Sequence, residues 1–274
     1  GLKVVVDCAN GAASTVAPSA YEQAGAMVTA ISATPTGWNI NENCGSTHLE
    51  SLINEVKKSG ADIGIAHDGD ADRCLMIAKN GEVIDGDQIL NILASSYLAE
   101  GKLNKQTVVG TVMSNLGFIK SMEAANIKVE KTAVGDRYVL EAMLQSDFNL
   151  GGEQSGHVIM RDHANTGDGL LTALQLLAEV KRSGQTLQEL SRVMVRFPQV
   201  LINVKNVAKE RLATSNVISD AVKAAEAELG SNGRVLLRAS GTEPLVRVMV
   251  EAQSDAVAQD VATKLAQVVE TELK

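Results

Sequence analysis

Short apolar runs alternate with segments of helical periodicity along the first two thirds of the chain. LKVVVD runs as a strand into the small-residue loop CANGAAS, TVAPSAYEQAGA reads as a helix, and MVTAI reads as a second strand. THLESLINEVKKSGA has helical spacing and a glycine where the helix stops, and DIGIAH follows as a buried strand. RCLMIAKNGEVI reads as two short strands around the turn KNG. A second cycle opens near residue 83: helix, TVVGTVM as strand, LGFIKSMEAAN as helix, KVEKTAV as strand, RYVLEAMLQS as helix. The segment LGGEQSGHVIM follows, and then a long amphipathic helix, GDGLLTALQLLAEVKRSG. Such alternation predicts parallel α/β layers. After residue 190 the order becomes strand, helix, strand, tight loop, strand, helix, which is α+β. Boundaries are therefore expected near 82 and 195, giving segments 1–82, 83–195 and 196–274.

The 274 residues suffice for two or three modest domains. Aromatic residues make up only 3%, so the core must be built from Val, Ile, Leu, Ala and Met. A net charge of −8 argues against nucleic acid as a partner, but a few arginines can still reverse the field inside a cleft. Cys8, Cys44 and Cys74 are odd in number and form no C-x-x-C pair, which suits reduced thiols in a cytoplasmic protein. No run approaches the roughly 18 apolar residues of a membrane span, so no membrane partner is expected.

Three stretches carry candidate chemistry. In ADIGIAHDGDADRCLMI, Asp68, Asp70 and Asp72 stand where an apolar strand stops, with Arg73 behind them. Ligand sites in open α/β sheets gather at the carboxyl ends of strands. Oxygen donors without sulfur or imidazole favour Mg²⁺. An EF-hand fits poorly, because Arg73 replaces its glycine and Lys79 its twelfth-position glutamate. A solvated acidic turn is the plain alternative. In GGEQSGHVIM, Glu153, Ser155 and His157 alternate, so a carboxylate and a hydroxyl on one face could bind adjacent sugar hydroxyls. The competing interpretation is a polar edge strand with a glycine bulge. His157 could be a positioning donor, an acid/base group or a satisfied histidine. In RVLLRASGTEPLVRVMV, Arg238, Ser240, Gly241, Thr242 and Arg247 surround a glycine-containing turn, a set suited to a phosphate dianion unless it is an ordinary hairpin. VGDRYV adds Asp136 and Arg137 at a strand-to-helix junction, either a second anion contact or a helix N-cap. Asp168 in TGDGLL is expected to cap its helix, and DCANGAAS to serve structure.

DGDADR, VGDRYV, GGEQSGH and RASGTEPLVRVMVE occur in the order and approximate spacing of the α-D-phosphohexomutase family, and the chain resembles that family over essentially its whole length. GWNINENCGSTHLE, TVMSNLG and GEQSGH resemble its glucosamine-specific branch most. The resemblance implies two related three-layer α/β domains followed by a smaller α+β domain. It implies interconversion of the 6-phosphate and 1-phosphate of a hexosamine through a sugar bisphosphate; glucose or mannose phosphates are the alternative substrates. Asp68, Asp70 and Asp72 would hold Mg²⁺, and Arg73 would lie beside the reacting phosphoryl. Glu153 and Ser155 would grip sugar hydroxyls with His157 nearby. Arg238, Ser240, Gly241, Thr242 and Arg247 would bind the non-reacting phosphate, with Arg137 as a further phosphate contact.

The family's nucleophile is a phosphoserine in a T-x-x-S-G-type segment of its first domain, and no such segment occurs here. The length and the abrupt start fit domains two to four alone. Mutase activity is therefore expected of a longer parent protein, with the missing N-terminal domain as the partner of these residues. Two other readings compete: a haloacid-dehalogenase-like phosphatase with Asp68 as nucleophile, and a non-catalytic phosphosugar-binding remnant.

Overall fold

A computed structural model describes residues 1–241 and 243–274 of the chain. It divides into two units, residues 1–114 with 118–195, and residues 115–117 with 196–274.

In the first unit, β1 (Lys3–Asp7), α1 (Ala13–Gln23), β2 (Met27–Ile31), α2 (Glu50–Ser59), β3 (Ile63–Ala66), β4 (Leu75–Ala78) and β5 (Val83–Ile84) follow in sequence. They form a sheet of order β2-β1-β3-β4-β5. Val4, Val5 and Val6 of β1 and all of β3 are buried, as befits central strands covered on both faces. On α2, Leu52 and Val56 point inward one turn apart, and Gly60 ends the helix in the left-handed conformation. The second cycle contains α3 (Gly86–Ala99), β6 (Thr107–Thr111), α4 (Leu116–Ala124), β7 (Lys128–Thr132), α5 (Asp136–Ser146), β8 (Leu150–Gly152), β9 (Val158–Met160), α6 (Gly169–Ser183) and α7 (Leu187–Ser191). Its sheet has the order β7-β6-β8-β9.

The sheets are mixed, with parallel strands at the centre and antiparallel returns. β1 pairs in parallel with β2 and β3, and β6 with β7 and β8. β4, β5 and β9 run antiparallel to their neighbours. Their connections are too short for the crossover of a dozen or more residues that a parallel return requires. Helix α7 was not anticipated, although Thr186 and Glu189 form a capping box at its start. One apolar cluster in this unit runs from Val6, Ile65 and Met76 to Leu90, Val108 and Leu176.

In the second unit, β10 (Gln199–Lys205), α8 (Asn216–Leu229), β11 (Arg234–Ala239), β12 (Leu245–Glu251) and α9 (Asp255–Leu273) form an antiparallel sheet of order β10-β12-β11 with two helices. The strand period of two sorts the residues. Val246, Val248 and Val250 join Ile218, Val261, Leu265 and Val269 in the core. The alternate positions of β11 and β12 carry Arg234, Arg238, Arg247 and Glu251. Among the described residues, no helix is long and apolar enough to cross a membrane.

Candidate functional site

The loop from His67 to Cys74 leaves the end of β3, a central strand, and returns as β4. It closes on itself: the Arg73 N–H donates to Asp68 Oδ1 at 3.2 Å, and the Ala71 N–H to the Asp68 carbonyl at 3.2 Å. Ala71 takes a left-handed φ of +63°, an uncommon state for a residue with a Cβ. The turn after β1 supports the loop, since Ala12 N–H donates to the Gly69 carbonyl at 2.8 Å. This agrees with the structural role expected for DCANGAAS.

One carboxylate oxygen from each of Asp68, Asp70 and Asp72 lies within 4.8 Å of the others. Asp68 is buried, Asp72 half-buried and Asp70 exposed. The Arg73 Nε lies 3.5 Å from Asp68 Oδ2 and 3.7 Å from Asp72 Oδ1, so one guanidinium faces two of the three carboxylates. Burial, and then the charge of Asp68, push the Asp72 carboxyl above its ordinary range. A cluster of hard oxygen donors with surplus negative charge fits a divalent cation.

Residues 153–157 form the turn between β8 and β9 rather than an edge strand, so Glu153, Ser155 and His157 do not share a strand face. The connection is too short to extend, and it closes through Glu153 N–H to the His157 carbonyl at 2.9 Å and Gly156 N–H to the Glu153 carbonyl at 3.0 Å. Backbone hydrogen bonds join the aspartate loop to this turn and to the start of α6. Cys74 N–H donates to the Gly156 carbonyl at 3.0 Å, and Gly169 N–H donates to the Ala71 carbonyl at 3.0 Å. Both contacts require glycine. A Cβ on Gly156, at φ +94°, would lie 2.4 Å from the Cys74 oxygen, and one on Gly169 would lie 2.1 Å from the Arg73 oxygen.

This junction brings the buried His157 Nε2 to 3.6 Å from Asp72 Oδ2. Glu153 is held from another segment, where Gly135 N–H donates to its Oε1 at 3.0 Å. Ser155 stands exposed at the tip of the turn. Asp136 is the first residue of α5 and Gly135 takes the capping position, so of the two alternatives for Asp136 the N-cap does not form. Arg137 is exposed and pairs with Glu141 at 2.8 Å, one helical turn on. Asp168 caps α6 as expected, accepting from Leu171 N–H at 2.9 Å.

In the second unit, Arg238 and Arg247 stand directly opposite each other on β11 and β12. Like charges across a strand pair are destabilising, and an anion between them would relieve that cost. Ser240 is buried, donates its N–H to the Leu245 carbonyl at 2.9 Å and accepts at Oγ from Glu243 N–H at 3.3 Å. Gly241 is exposed, and Thr242 lies outside the described residues. Arg247 Nη2 reaches Glu243 Oε2 at 3.8 Å.

Sequence reasoning passed over two residues that bear on these loops. Lys209 Nζ donates to the carbonyls of Ser240 at 2.5 Å, Glu243 at 3.0 Å and Gly241 at 3.4 Å. His67 touches both α1 and the aspartate loop, and burial holds its imidazole below the usual histidine range. Neither has a local signal: one is a lysine in a polar connection, the other a residue at a strand end.

Residues 1–81 match the phosphoglucomutase/phosphomannomutase α/β/α domain II, residues 85–197 its α/β/α domain III, and residues 201–268 its C-terminal domain. A phosphoglucosamine mutase of Thermobifida fusca is 60% identical over 273 residues, covering 100% of this chain and 61% of that protein. The chain thus spans about three fifths of the length of the curated relatives it matches. A phosphoglucomutase/phosphomannomutase family protein of Burkholderia thailandensis has the same fold, with a TM-score of 0.81 at 23% identity over 98% of this chain and 60% of that one. An Aspergillus fumigatus N-acetylphosphoglucosamine mutase, solved in complex with GlcNAc-6P and magnesium, gives a TM-score of 0.80 at 21% identity over 100% of this chain and 62% of that one. With nearly every residue of its two units inside one of those three matches, the chain belongs to the phosphoglucomutase/phosphomannomutase family.

Proposed function

We propose that these residues are the metal-, sugar- and phosphate-binding portion of a phosphoglucosamine mutase, which interconverts glucosamine 6-phosphate and glucosamine 1-phosphate. The observation that carries this reading is the backbone junction of the aspartate loop with residues 153–157, which sets His157 against Asp72. The likeness to the phosphoglucosamine mutase of Thermobifida fusca supports the choice of sugar. The Aspergillus fumigatus complex supports a phosphosugar with magnesium.

In this reading Asp68, Asp70 and Asp72 hold Mg²⁺, which supplies positive charge beside a transferring phosphoryl group. Arg73, paired only loosely with its aspartates, turns toward the same phosphoryl oxygens. Glu153, fixed by Gly135, accepts from a sugar hydroxyl, and Ser155 offers a second contact. His157 is a positioning donor or an acid/base group at the reacting oxygen. Arg238, Arg247 and the amides after Ser240 bind the phosphate that is not reacting, and Arg137 is a further anion contact once it leaves Glu141. Thr242, outside the described residues, belongs to the same proposed loop. A phosphoserine in the part of the relatives that these residues do not span would give its phosphoryl to the sugar hydroxyl, forming a sugar bisphosphate, and the freed serine hydroxyl would then take back the other phosphoryl group. We place domain boundaries near 82 and 195. A cytoplasmic location suits the three free, buried cysteines.

The test is turnover with Mg²⁺ and a sugar bisphosphate. The 274 residues alone should leave glucosamine 6-phosphate unchanged, and the full-length protein should convert it. Faster conversion of mannose or glucose phosphates by the full-length protein would overturn the substrate, and an aspartyl-phosphate trapped on Asp68 would overturn the metal role.

A further inference from the structure

The imidazole of His67 is fully buried between α1 and the aspartate loop, and the proposed chemistry gives it no role. Its ring stacks on Tyr21 of α1, with centroids 6.2 Å apart and planes 14° from parallel. Nε2 lies 2.7 Å from the Tyr21 hydroxyl, and Nδ1 lies 3.0 Å from the carbonyl oxygen of Arg73. A carbonyl only accepts hydrogen bonds, so Nδ1 must carry the proton facing Arg73. In the neutral ring Nε2 is then bare and accepts from the Tyr21 hydroxyl. The backbone of His67 is fixed as well: its N–H donates to the Asp7 carbonyl at 3.0 Å, and its carbonyl accepts from Ser46 N–H at 2.8 Å.

The Arg73 carbonyl is where the aspartate loop ends. The amide of the same residue donates to Asp68, and Gly169 packs against its oxygen. A donor on this carbonyl therefore sets the peptide plane that follows Arg73, and with it the spacing of the two ends of the loop. We infer that His67 is a positioning residue, whose Nδ1–H hydrogen bond to the Arg73 carbonyl holds Asp68 and Asp72 at metal-binding spacing. This inference rests on the reading of the three aspartates as a metal site.

The test uses Mn²⁺ binding to the full chain, followed by electron paramagnetic resonance, alongside thermal melting. His67→Asn places an amide N–H near the position of Nδ1, whereas His67→Gln reaches toward Nε2 and leaves the Arg73 carbonyl unpaired. His67→Asn should bind Mn²⁺ within about threefold of wild type, and His67→Gln about tenfold more weakly. Tyr21→Phe, which keeps the donor, should also stay within about threefold. A residue that merely filled space would move Asn and Gln together, so equal losses, or full affinity in His67→Gln, would overturn the role. The tautomer gives a readout without metal or substitution: long-range ¹H–¹⁵N spectra of wild type should show a protonated Nδ1 and a bare Nε2. The opposite tautomer overturns the inference. Failure of wild type to bind Mn²⁺ would instead overturn the metal reading, and the role of His67 with it.

Discussion

The aspartate loop and the loop after β11 are both short polar turns between strands, yet they are held in different ways. The aspartate loop is bonded through its backbone to the turn after β1, to Gly156 and to Gly169, so segments distant in sequence fix its path. The loop after β11 rests on its own strand pair, a Ser240 turn and one lysine, Lys209, which gathers three of its carbonyls. Carboxylates that must converge against mutual repulsion need a rigid frame. An anion site needs amides and guanidiniums turned one way, and a lysine holding the carbonyls on one side leaves the other free for that.

The sharpest way to break this comparison is to add one methyl group against the aspartate loop and one within the loop after β11. Gly169→Ala should destabilise the first unit by about 3 kcal/mol or more, because its Cβ would meet the Arg73 carbonyl where neither backbone can give way. Gly241→Ala meets nothing within 4 Å and should change stability by less than about 0.5 kcal/mol. Urea denaturation of both variants would show it; equal effects would mean that the two loops are equally braced.

Binding comes next in size. Arg247→Ala should weaken phosphate binding by about 1.5–3 kcal/mol, roughly ten- to hundredfold. Arg247→Lys should recover only part of this, since an ammonium lacks the planar fork. Chemical-shift titration of β11 and β12 with inorganic phosphate measures both, and wild-type affinity in Arg247→Ala would end the clamp assignment.

Asp70 is the exposed member of its cluster, so Asp70→Asn should weaken Mg²⁺ binding about tenfold while leaving folding stability unchanged or slightly higher as repulsion falls. Calorimetric titration with Mg²⁺ checks the first half and urea denaturation the second. Unchanged affinity would remove Asp70 from the ligand set. The smallest effect belongs to Lys209. Lys209→Met should reduce phosphate affinity about three- to tenfold by freeing the carbonyls, and Lys209→Arg should fall between. If Met and Arg behave as wild type, the loop is organised by Ser240 alone.

Much of the fold was legible because local spacing reports it directly. Short apolar runs marked β1 to β3, and Gly60 and Asp168 marked helix ends through conformational and capping rules that act over a few residues. The aspartate triple and the paired arginines also stood out, since their residue types and spacing are unusual for plain structure. Family membership, and the α/β then α+β order, followed from those motifs in sequence.

What the tertiary structure decided was direction, register and partnership. The return of β9 antiparallel to β8 made the 153–157 segment a turn rather than an edge strand. Gly135 rather than Asp136 stands at the cap of α5, and its N–H is bound to Glu153 from another part of the chain. The facing of Arg238 and Arg247 became definite only with the β11–β12 register, where a one-residue slip would turn one arginine to the other face. His67 and Lys209 carry no pattern in sequence, because their roles lie in hydrogen bonds to carbonyls of remote or loop residues. A sequence determines which groups each residue offers and how its own few neighbours prefer to bend. Which carbonyl a buried imidazole meets depends on how β4 returns beside β3 and on a helix packed against the ring from far back in the chain, and only the tertiary structure settles that.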